Sequence, residues 1–365
     1  MSGALGGGTS GALGGAMSGG LDTTTLGATE LRITRVGLGA WAIGGGGWQG
    51  GWGPQDDAES VATIHAALDQ GINWIDTAAA YGLGHAETVV GRALRERPDG
   101  DRPYVFTKCG LVWEPGGTTV SNVLAPASIR RECEDSLRRL GVERIDLYQV
   151  HWPSHDGTPV EESWATMAQL VDEDKVSYIG VSNFDVELLD RCAAVRPVDT
   201  FQPELNLLVR DAAATTLPWC ADHGTGVIVY SPMRSGLLTG RFTPERAGSL
   251  PADDWRAGHD DFRGPGLERN LALVARLAEV AADLGCSLPE LAVAWTLAWP
   301  SVDGAIVGAR RPSQLDDWIG SGAVALDDGR LDQIAAILDE TGAGSGPTRP
   351  GQGPASVTRS SMRSS

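Results

Sequence analysis

Four side chains in this sequence have types and positions that suit proton transfer. Asp76 ends a short apolar run, Tyr81 follows it by five residues, and Lys108 and His151 each end another apolar run. A free tyrosine has a pKa near ~10, and a neighbouring ammonium group lowers that pKa because it stabilises the phenolate. A carboxylate would keep the lysine charged, and a histidine can orient a carbonyl oxygen or share the proton. Together the four predict an acid that protonates a substrate oxygen.

Each of the four residues also has an ordinary structural explanation. An aspartate at a strand end commonly forms a turn or caps a helix. The tyrosine and the histidine would then be packing residues, and the lysine would be a solvated strand end. Taken singly, each residue favours the structural explanation. Taken together, at three successive strand ends, they favour catalysis.

Short β-like runs alternate with helical runs along most of the chain. The predicted strands are 36–41, 72–76, 104–108, 145–151, 178–181, 198–202, 226–230 and 304–307. The predicted helices are 57–70, 84–96, 126–140, 160–174, 185–194, 210–223, 268–284, 288–298 and 329–341. Pro126 suits a first helical turn, and Gly71 and Gly141 suit helix ends.

This alternation predicts an α/β protein with a parallel sheet. Eight repeats favour closure into a (β/α)₈ TIM barrel with long βα loops over an open doubly wound sheet. In such a barrel the carboxyl ends of the strands meet at one face, where chemistry is found. The four candidate residues are therefore expected to converge there.

Both ends of the chain are rich in small residues. Residues 1–27 and 343–365 carry too little apolar surface to offset the entropy of ordering, so we expect flexible tails around a barrel domain at 28–342. The segment 234–266 is too long for an ordinary βα connection and is predicted to be a lid over a ligand.

Charge and composition exclude several function classes. The chain has 365 residues and a net charge of −18, and such a surface repels nucleic acids and anionic lipids. No apolar run approaches the ~20 residues of a membrane helix, and the first residues do not resemble a secretory signal. The five cysteines are scattered without a CxxC pair, which argues against disulfides or a zinc site and fits a cytoplasmic protein. A homo-oligomer is compatible with the sequence.

Two short motifs match known signatures only formally. Gly45, Gly47 and Gly50 fit GxGxxG, but a dinucleotide fingerprint leads straight into a helix, and here a Trp-Gly-Pro sequence interrupts. The segment from His85 to Glu87 resembles the start of a zinc-deaminase signature, but no PCxxC follows. We therefore predict no metal and interpret 44–51 as a mobile loop.

Tryptophan is abundant, with twelve residues in the chain. Most are expected in the core. Those near predicted strand ends could instead line an apolar substrate pocket: Trp41, Trp48, Trp52, Trp113 and Trp152.

Seven segments, in this order, resemble the aldo-keto reductases, which are NAD(P)H-dependent enzymes on a (β/α)₈ barrel. They are "GINWIDTAAAYGLGHAETVVGRAL", "VFTKCG", "SLRRLGVERIDLYQVHWP", "YIGVSNF", "FQPELNLL", "YSPMRSGLLTGRF" and "IVGARRPSQLDD". The resemblance spans about residues 30 to 340. It implies that Tyr81 is the general acid, that Lys108 and Asp76 support it, and that His151 orients the substrate. Hydride would come from C4 of the nicotinamide.

The resemblance also implies a set of cofactor-binding residues. Ser182 and Asn183 would bind the carboxamide, Gln202 would lie under the nicotinamide, and Tyr230 would stack on the ring. The remaining predicted cofactor contacts are Trp41, Ser231, Pro232, Met233, Gly236, Leu238, Arg241, Gly308, Arg310, Gln314 and Asp317. Predicted substrate contacts are Trp48, Trp113, Trp152 and His85.

Arg310 favours NADPH over NADH, because a cation in an acidic protein suits a 2′-phosphate. The alternative is that it is a solvated loop charge. At two positions the sequence departs from the family pattern. Trp318 replaces an asparagine that contacts adenine, and would either stack on that ring or pack. His85 replaces a serine, and would either line the substrate mouth or cap a helix.

The predicted function is NADPH-dependent reduction of an aldehyde or ketone, which could also run in reverse. The alternative is an NADP(H)-binding regulatory subunit like the β-subunits of potassium channels, with vestigial catalysis. The complete set of four residues favours the enzyme. A barrel lyase would not explain "GVSNF" together with "GARRPSQ".

Overall fold

The structure, a computed structural model, describes residues 20–98, 100–251 and 254–351. Most of the two predicted tails, residues 1–19 and 352–365, lies outside the described residues.

Eight parallel strands close into a barrel, which confirms the predicted (β/α)₈ fold. The barrel strands are β1 (Val36–Gly39), β2 (Trp74–Asp76), β3 (Tyr104–Cys109), β4 (Ile145–Val150), β5 (Val176–Ser182), β6 (Thr200–Gln202), β7 (Gly226–Val229) and β8 (Gly304–Gly308). Each strand pairs with the next one along the chain, and β8 pairs with β1. All carboxyl ends therefore lie at the same end of the barrel.

The helices in the described ranges surround these strands. They are α1 (Asp57–Asp69), α2 (His85–Arg95), α3 (Pro126–Leu140), α4 (Val160–Asp172), α5 (Val186–Val195), α6 (Thr216–His223), α7 (Pro244–Gly248), α8 (Gly264–Leu284), α9 (Leu288–Leu297) and α10 (Asp328–Thr341). Antiparallel hairpins pair Thr23–Thr25 with Arg32–Thr34 and Leu111–Val112 with Ser121–Asn122.

Local sequence signals explain where several helices begin and end. The Asp56 carboxylate accepts a hydrogen bond from the Glu59 amide at 2.8 Å and so caps α1. Pro126 opens α3, and Gly141 ends it with a φ of 70°, both as predicted. The predicted helix 210–223 is instead a 3₁₀ turn at Asp211–Ala214 followed by α6, because Thr215 between them is not helical.

The barrel interior changes from apolar to polar along its axis. Trp74, Phe106 and Leu147 belong to an apolar cluster toward the amino ends of the strands. Residues two positions further along a strand point to the same side. Asp76 and Lys108 follow Trp74 and Phe106 in this way, and both are buried. The fold thus places the charges of Asp76 and Lys108 in the interior at the carboxyl end of the barrel.

Residues just beyond the predicted domain boundaries at residues 27 and 343 contact the barrel domain. The hairpin that begins at Thr23 lies against the amino end of the barrel, where Leu26 is fully buried with Leu31 and Ile33. At the other end, the Ser345 amide donates a hydrogen bond to the Leu208 carbonyl at 3.0 Å. Composition alone missed both segments because a few apolar contacts order them.

The described helices include none with the length and the apolar character needed to cross a membrane.

The burial of Leu26 allows a direct test of whether the hairpin that begins at Thr23 belongs to the folded domain. Leu26→Ala should lower the free energy of unfolding by about 2–5 kcal/mol, because it opens a cavity in a fully buried cluster. Thr25→Ala, at an exposed neighbouring position, should change it by less than about 0.5 kcal/mol. Denaturant unfolding measures both, and equal stability of the two variants would restore the tail interpretation.

Candidate active site

A cavity of about 500 Å³ opens at the carboxyl ends of the barrel strands. Gly39, Asp76, Ser182, Gln202 and Gly308, which end five different strands, line it. It brings together most of the predicted site residues: Trp41, Trp48, Asp76, Tyr81, His151, Trp152, Ser182, Asn183, Gln202, Tyr230, Ser231, Pro232, Met233, Gly236, Gly308, Arg310 and Gln314.

A buried ion pair joins the ends of β2 and β3 beneath this cavity. The Lys108 ammonium lies 2.5 Å from Asp76 Oδ1 and donates a second hydrogen bond to the Thr77 carbonyl at 2.9 Å. Both charged side chains are almost fully excluded from solvent. Removing either partner would leave an uncompensated charge in the barrel. Because the two charges must stay together, the pair holds the ends of both strands in place.

Tyr81 and His151 lie next to each other above the ion pair. Their rings meet edge to face with centroids 5.7 Å apart. The Lys108 ammonium is 5.2 Å from the centre of the Tyr81 ring. A turn between β2 and α2 carries Tyr81, and a hydrogen bond from the His151 amide to the Cys109 carbonyl at 3.0 Å holds the end of β4. The four predicted catalytic residues therefore converge.

Burial sets the protonation of this cluster. It raises the pKa of Tyr81 well above 10.0, and the charge of Asp76 adds to the effect. Burial lowers the pKa of His151 well below 6.5, and the positive charge of Lys108 adds a smaller effect in the same direction. Burial also lowers the pKa of Lys108, although Asp76 opposes this. At neutral pH the phenol therefore keeps its proton and the imidazole is uncharged.

These directions correct the predicted effect of Lys108 on Tyr81. The sequence argument expected the ammonium to lower the pKa of the phenol. In the structure burial has the largest effect on the pKa of the phenol and the charge of Asp76 the second largest, and both raise it.

A row of polar side chains follows β5 and β7 along the cavity. The Tyr230 hydroxyl donates to Asn183 Oδ1 at 2.8 Å, and Asn183 Nδ2 donates to the Ser182 hydroxyl at 3.0 Å. The Ser182 hydroxyl in turn donates to the Gln202 carbonyl at 2.7 Å. Asn183 adopts a positive φ of 63°. The row presents donors and acceptors that suit a planar amide.

Arg310 lies at the outer part of the cavity and holds the loop that follows β1. Its Nε donates to Gln55 Oε1 at 2.7 Å, and the Gln55 amide donates back to the Arg310 carbonyl at 2.8 Å. Its other nitrogens bond to the carbonyls of Trp52 and Pro54. These hydrogen bonds hold the guanidinium in place. Neither of the two interpretations from the sequence, a 2′-phosphate contact or a solvated loop charge, describes it fully.

Six predicted site residues lie outside the lining of this cavity among the residues described: Lys108, which lies beneath it, and Leu238, Arg241, Asp317, Trp113 and His85. Leu238 is in the core. Arg241 and Asp317 pair with each other at 2.6 Å, and Trp113 packs under Arg139. His85 pairs with Asp57 at 2.8 Å.

The structure also settles the position of two further residues. Trp318 is 1% exposed and packs in the core, which answers the choice left open for it. Trp52 lines the cavity and meets Trp41 edge to face, with ring centroids 5.2 Å apart. Trp41 in turn stacks on Tyr81 at 6.2 Å.

Sequence analysis missed several polar residues at this site, among them two arginines and a buried glutamine. Arg246 and Arg256, from the predicted lid, line the cavity. Arg246 lies on the five-residue helix α7 and Arg256 on a 3₁₀ turn at Trp255–Gly258, and both elements are too short for periodicity to show which way a side chain points. Gln149 is fully buried beside Asp76. A polar residue at an inward position of the apolar strand "IDLYQV" is a signal that could have found it.

Within the described ranges, no three His, Cys, Asp or Glu side chains are grouped so as to hold a metal ion.

Comparisons with known proteins agree with this geometry. A family model described as Aldo/keto reductase family matches residues 35–339. The aldo-keto reductase YhdN of Bacillus subtilis (strain 168) is 40% identical over 81% of this chain and 87% of its own. The NADH-specific methylglyoxal reductase of Escherichia coli (strain K12) is 34% identical over 83% of this chain and 94% of its own.

A solved structure is similar over nearly its whole length. The glycerol dehydrogenase AKR11B4 from Gluconobacter oxydans has a TM-score of 0.79 and 41% identity, with 88% of this chain and 96% of that chain covered. The matched family model and these relatives each span most of the chain. The protein therefore belongs to the aldo/keto reductase family, whose oxidoreductases use nicotinamide cofactors.

Proposed function

We propose that the protein reduces an aldehyde or ketone to the alcohol with NADPH, and that the same residues catalyse the reverse oxidation. One observation carries the proposal: the Tyr81 ring contacts both the Lys108 ammonium and the His151 imidazole at the lining of the cavity. A phenol in this position can give its proton to a carbonyl oxygen while a neighbouring cation stabilises the charge that remains.

The polar row along the cavity suits a nicotinamide. Ser182, Asn183 and Gln202 would hold its carboxamide, since the amide needs both donors and acceptors. The ring of Tyr230 offers a flat surface for stacking. When bound, the nicotinamide supplies the hydride that reduces the carbonyl carbon.

The remaining residues manage the proton. Tyr81 keeps its proton until a substrate oxygen takes it, because burial raises its pKa. As the proton leaves, negative charge develops on the phenol oxygen, and the nearby ammonium of Lys108 stabilises it. The neutral imidazole of His151 can donate one hydrogen bond to the substrate oxygen and orient it.

Three arginines line the outer part of the cavity in a chain of net charge −18: Arg246, Arg256 and Arg310. Arg256 is paired with the Asp254 carboxylate, and the guanidinium groups of Arg246 and Arg310 suit phosphate groups. We assign the 2′-phosphate to Arg310, which supports NADPH. A phosphate there would replace the carbonyls that Arg310 now contacts. We assign the pyrophosphate to Arg246 in place of Arg241.

Removing the Tyr81 hydroxyl should abolish most turnover. Tyr81→Phe should lower kcat for carbonyl reduction by about 10²–10⁴-fold, because the acid is lost. The dissociation constant for NADPH should stay within about threefold of wild type, since the ring remains. Tyr178→Phe makes the same change at a hydroxyl that contacts the Glu30 amide near the opposite end of the barrel, and should have no effect. Full activity of Tyr81→Phe would refute the acid assignment.

Replacing Arg310 should weaken the binding of NADPH more than the binding of NADH. Arg310→Ala should weaken NADPH binding by about tenfold or more, because a charge-assisted hydrogen bond is lost, and should weaken NADH binding much less. Arg311→Ala, at the exposed neighbouring position, is the matched control. Equal weakening of both cofactors would mean that Arg310 acts only by holding the loop, and tighter wild-type binding of NADH would contradict the NADPH assignment.

The raised pKa of Tyr81 predicts the pH dependence of the unliganded protein. The tyrosinate absorbance that distinguishes wild type from Tyr81→Phe should not appear below about pH 10, because the folded protein holds the phenol in its protonated form. His151, with its lowered pKa, should stay neutral down to about pH 6 and so cause no acid loss of activity above that pH. If the Tyr81 phenol instead lost its proton near neutral pH, the original expectation that Lys108 lowers its pKa would be restored.

A further inference from the structure

Gln149 sits at the centre of a buried hydrogen-bond network that the tetrad does not include. Its Nε2 lies 3.4 Å from Asp76 Oδ2, and its Oε1 accepts a hydrogen bond from Gln202 Nε2 at 3.1 Å. Gln202 Nε2 also donates to Asp76 Oδ2 at 3.0 Å. The carboxylate therefore has Lys108 on one oxygen and two carboxamides on the other.

The fold makes room for this side chain. Gln149 pairs in register with Lys108 on one side and with Gly180 on the other. A Cβ at Gly180 would collide with the Thr200 hydroxyl, and it would lie 3.3 Å from Gln149 Cγ and so also crowd the glutamine. With glycine at this position, Gln149 reaches Gln202, which lies two strands away on β6.

A glutamine at this buried position lowers the stability of the fold unless its amide is hydrogen-bonded. Leu147, two residues earlier on the same side of β4, is an apolar core residue. A buried amide without partners costs free energy that an apolar side chain of similar size does not. Here both ends of the amide are engaged, and each end contacts a residue of the candidate site.

We propose that Gln149 is a positioning residue that links Gln202 to the Asp76–Lys108 pair. It fixes the Gln202 carboxamide, which rests on the proposed function in that Gln202 lies under the nicotinamide, and it helps to hold the Asp76 charge beside Lys108. Gln149 touches neither substrate nor cofactor. A single side chain thus connects the residue under the nicotinamide with the ion pair beneath Tyr81.

The first test removes the amide and keeps the size. Gln149→Met should lower kcat by about tenfold, because the Asp76 charge loses a donor and Gln202 loses its acceptor. It should weaken NADP⁺ binding by about threefold to tenfold. It should leave binding of 2′,5′-ADP, which lacks the nicotinamide, within about twofold of wild type. Gln70→Met makes the same change at an exposed position and serves as the control.

The second test uses the pH profile. The charged groups that face this position are Asp76 on β2 and Lys108 on β3, whereas Gly180 and Thr200 on β5 and β6 are uncharged. In Gln149→Glu, the new carboxyl group faces Asp76, and like charges raise its pKa. Its neutral form has a donor and an acceptor as glutamine does. The variant should approach wild-type kcat near about pH 6 and lose activity as the pH rises, relative to wild type.

The outcomes separate this inference from the proposed function. If wild type binds NADP⁺ and reduces carbonyls, but Gln149→Met matches it in kcat and in both dissociation constants, the inference is refuted and the proposed function stands. The same holds if Gln149→Glu runs parallel to wild type at every pH. If wild type neither binds NADP⁺ nor reduces carbonyls, both are refuted.

Discussion

The buried ion pair between Asp76 and Lys108 is the constraint on which the rest of the site depends. Burying two charges costs several kcal/mol per ion, and attraction between them offsets this only with close geometry and further hydrogen bonds. The structure supplies both: a 2.5 Å contact, the Thr77 carbonyl for the ammonium, and the Gln202 amide for the carboxylate. The pair is thereby held in place beneath Tyr81.

Closure of the barrel is what makes this pair possible. Asp76, Lys108 and Gln202 come from three strands that are distant in the sequence, and only a closed sheet directs all three side chains into one interior. The apolar layer below them, with Trp74 and Phe106, excludes water from that side. The cavity above them is then the side from which a proton can be exchanged with a ligand.

The sequence predicted the parts of this site that regular structure carries. Strand alternation gave the barrel, and the residues at strand ends gave Asp76, Lys108 and His151, because parallel strands leave their carboxyl ends at one face. It could not predict how the charges combine. The pKa of Tyr81 depends on how deeply the phenol is buried and on how close the Asp76 charge lies, and only the folded chain determines both.

Short segments were the other limit of prediction from the sequence. Arg246 and Arg256 reach the cavity from a five-residue helix and a 3₁₀ turn that are too short to show periodicity. Arg241 lies near them in the sequence but pairs with Asp317. Likewise, composition placed Leu26 in a flexible tail, whereas a single apolar side chain and the hairpin pairing order that segment.

The position of that first hairpin determines how the protein can be joined to other molecules. Leu26 and Leu31 close the amino end of the barrel, and the Gly27 amide bonds to the Asp303 carboxylate at 3.1 Å, just before the last barrel strand begins. The described chain therefore starts on the face opposite to the cavity. An affinity handle, a fluorescent reporter or an immobilisation surface attached at residue 20 would be anchored on the face opposite to the cavity.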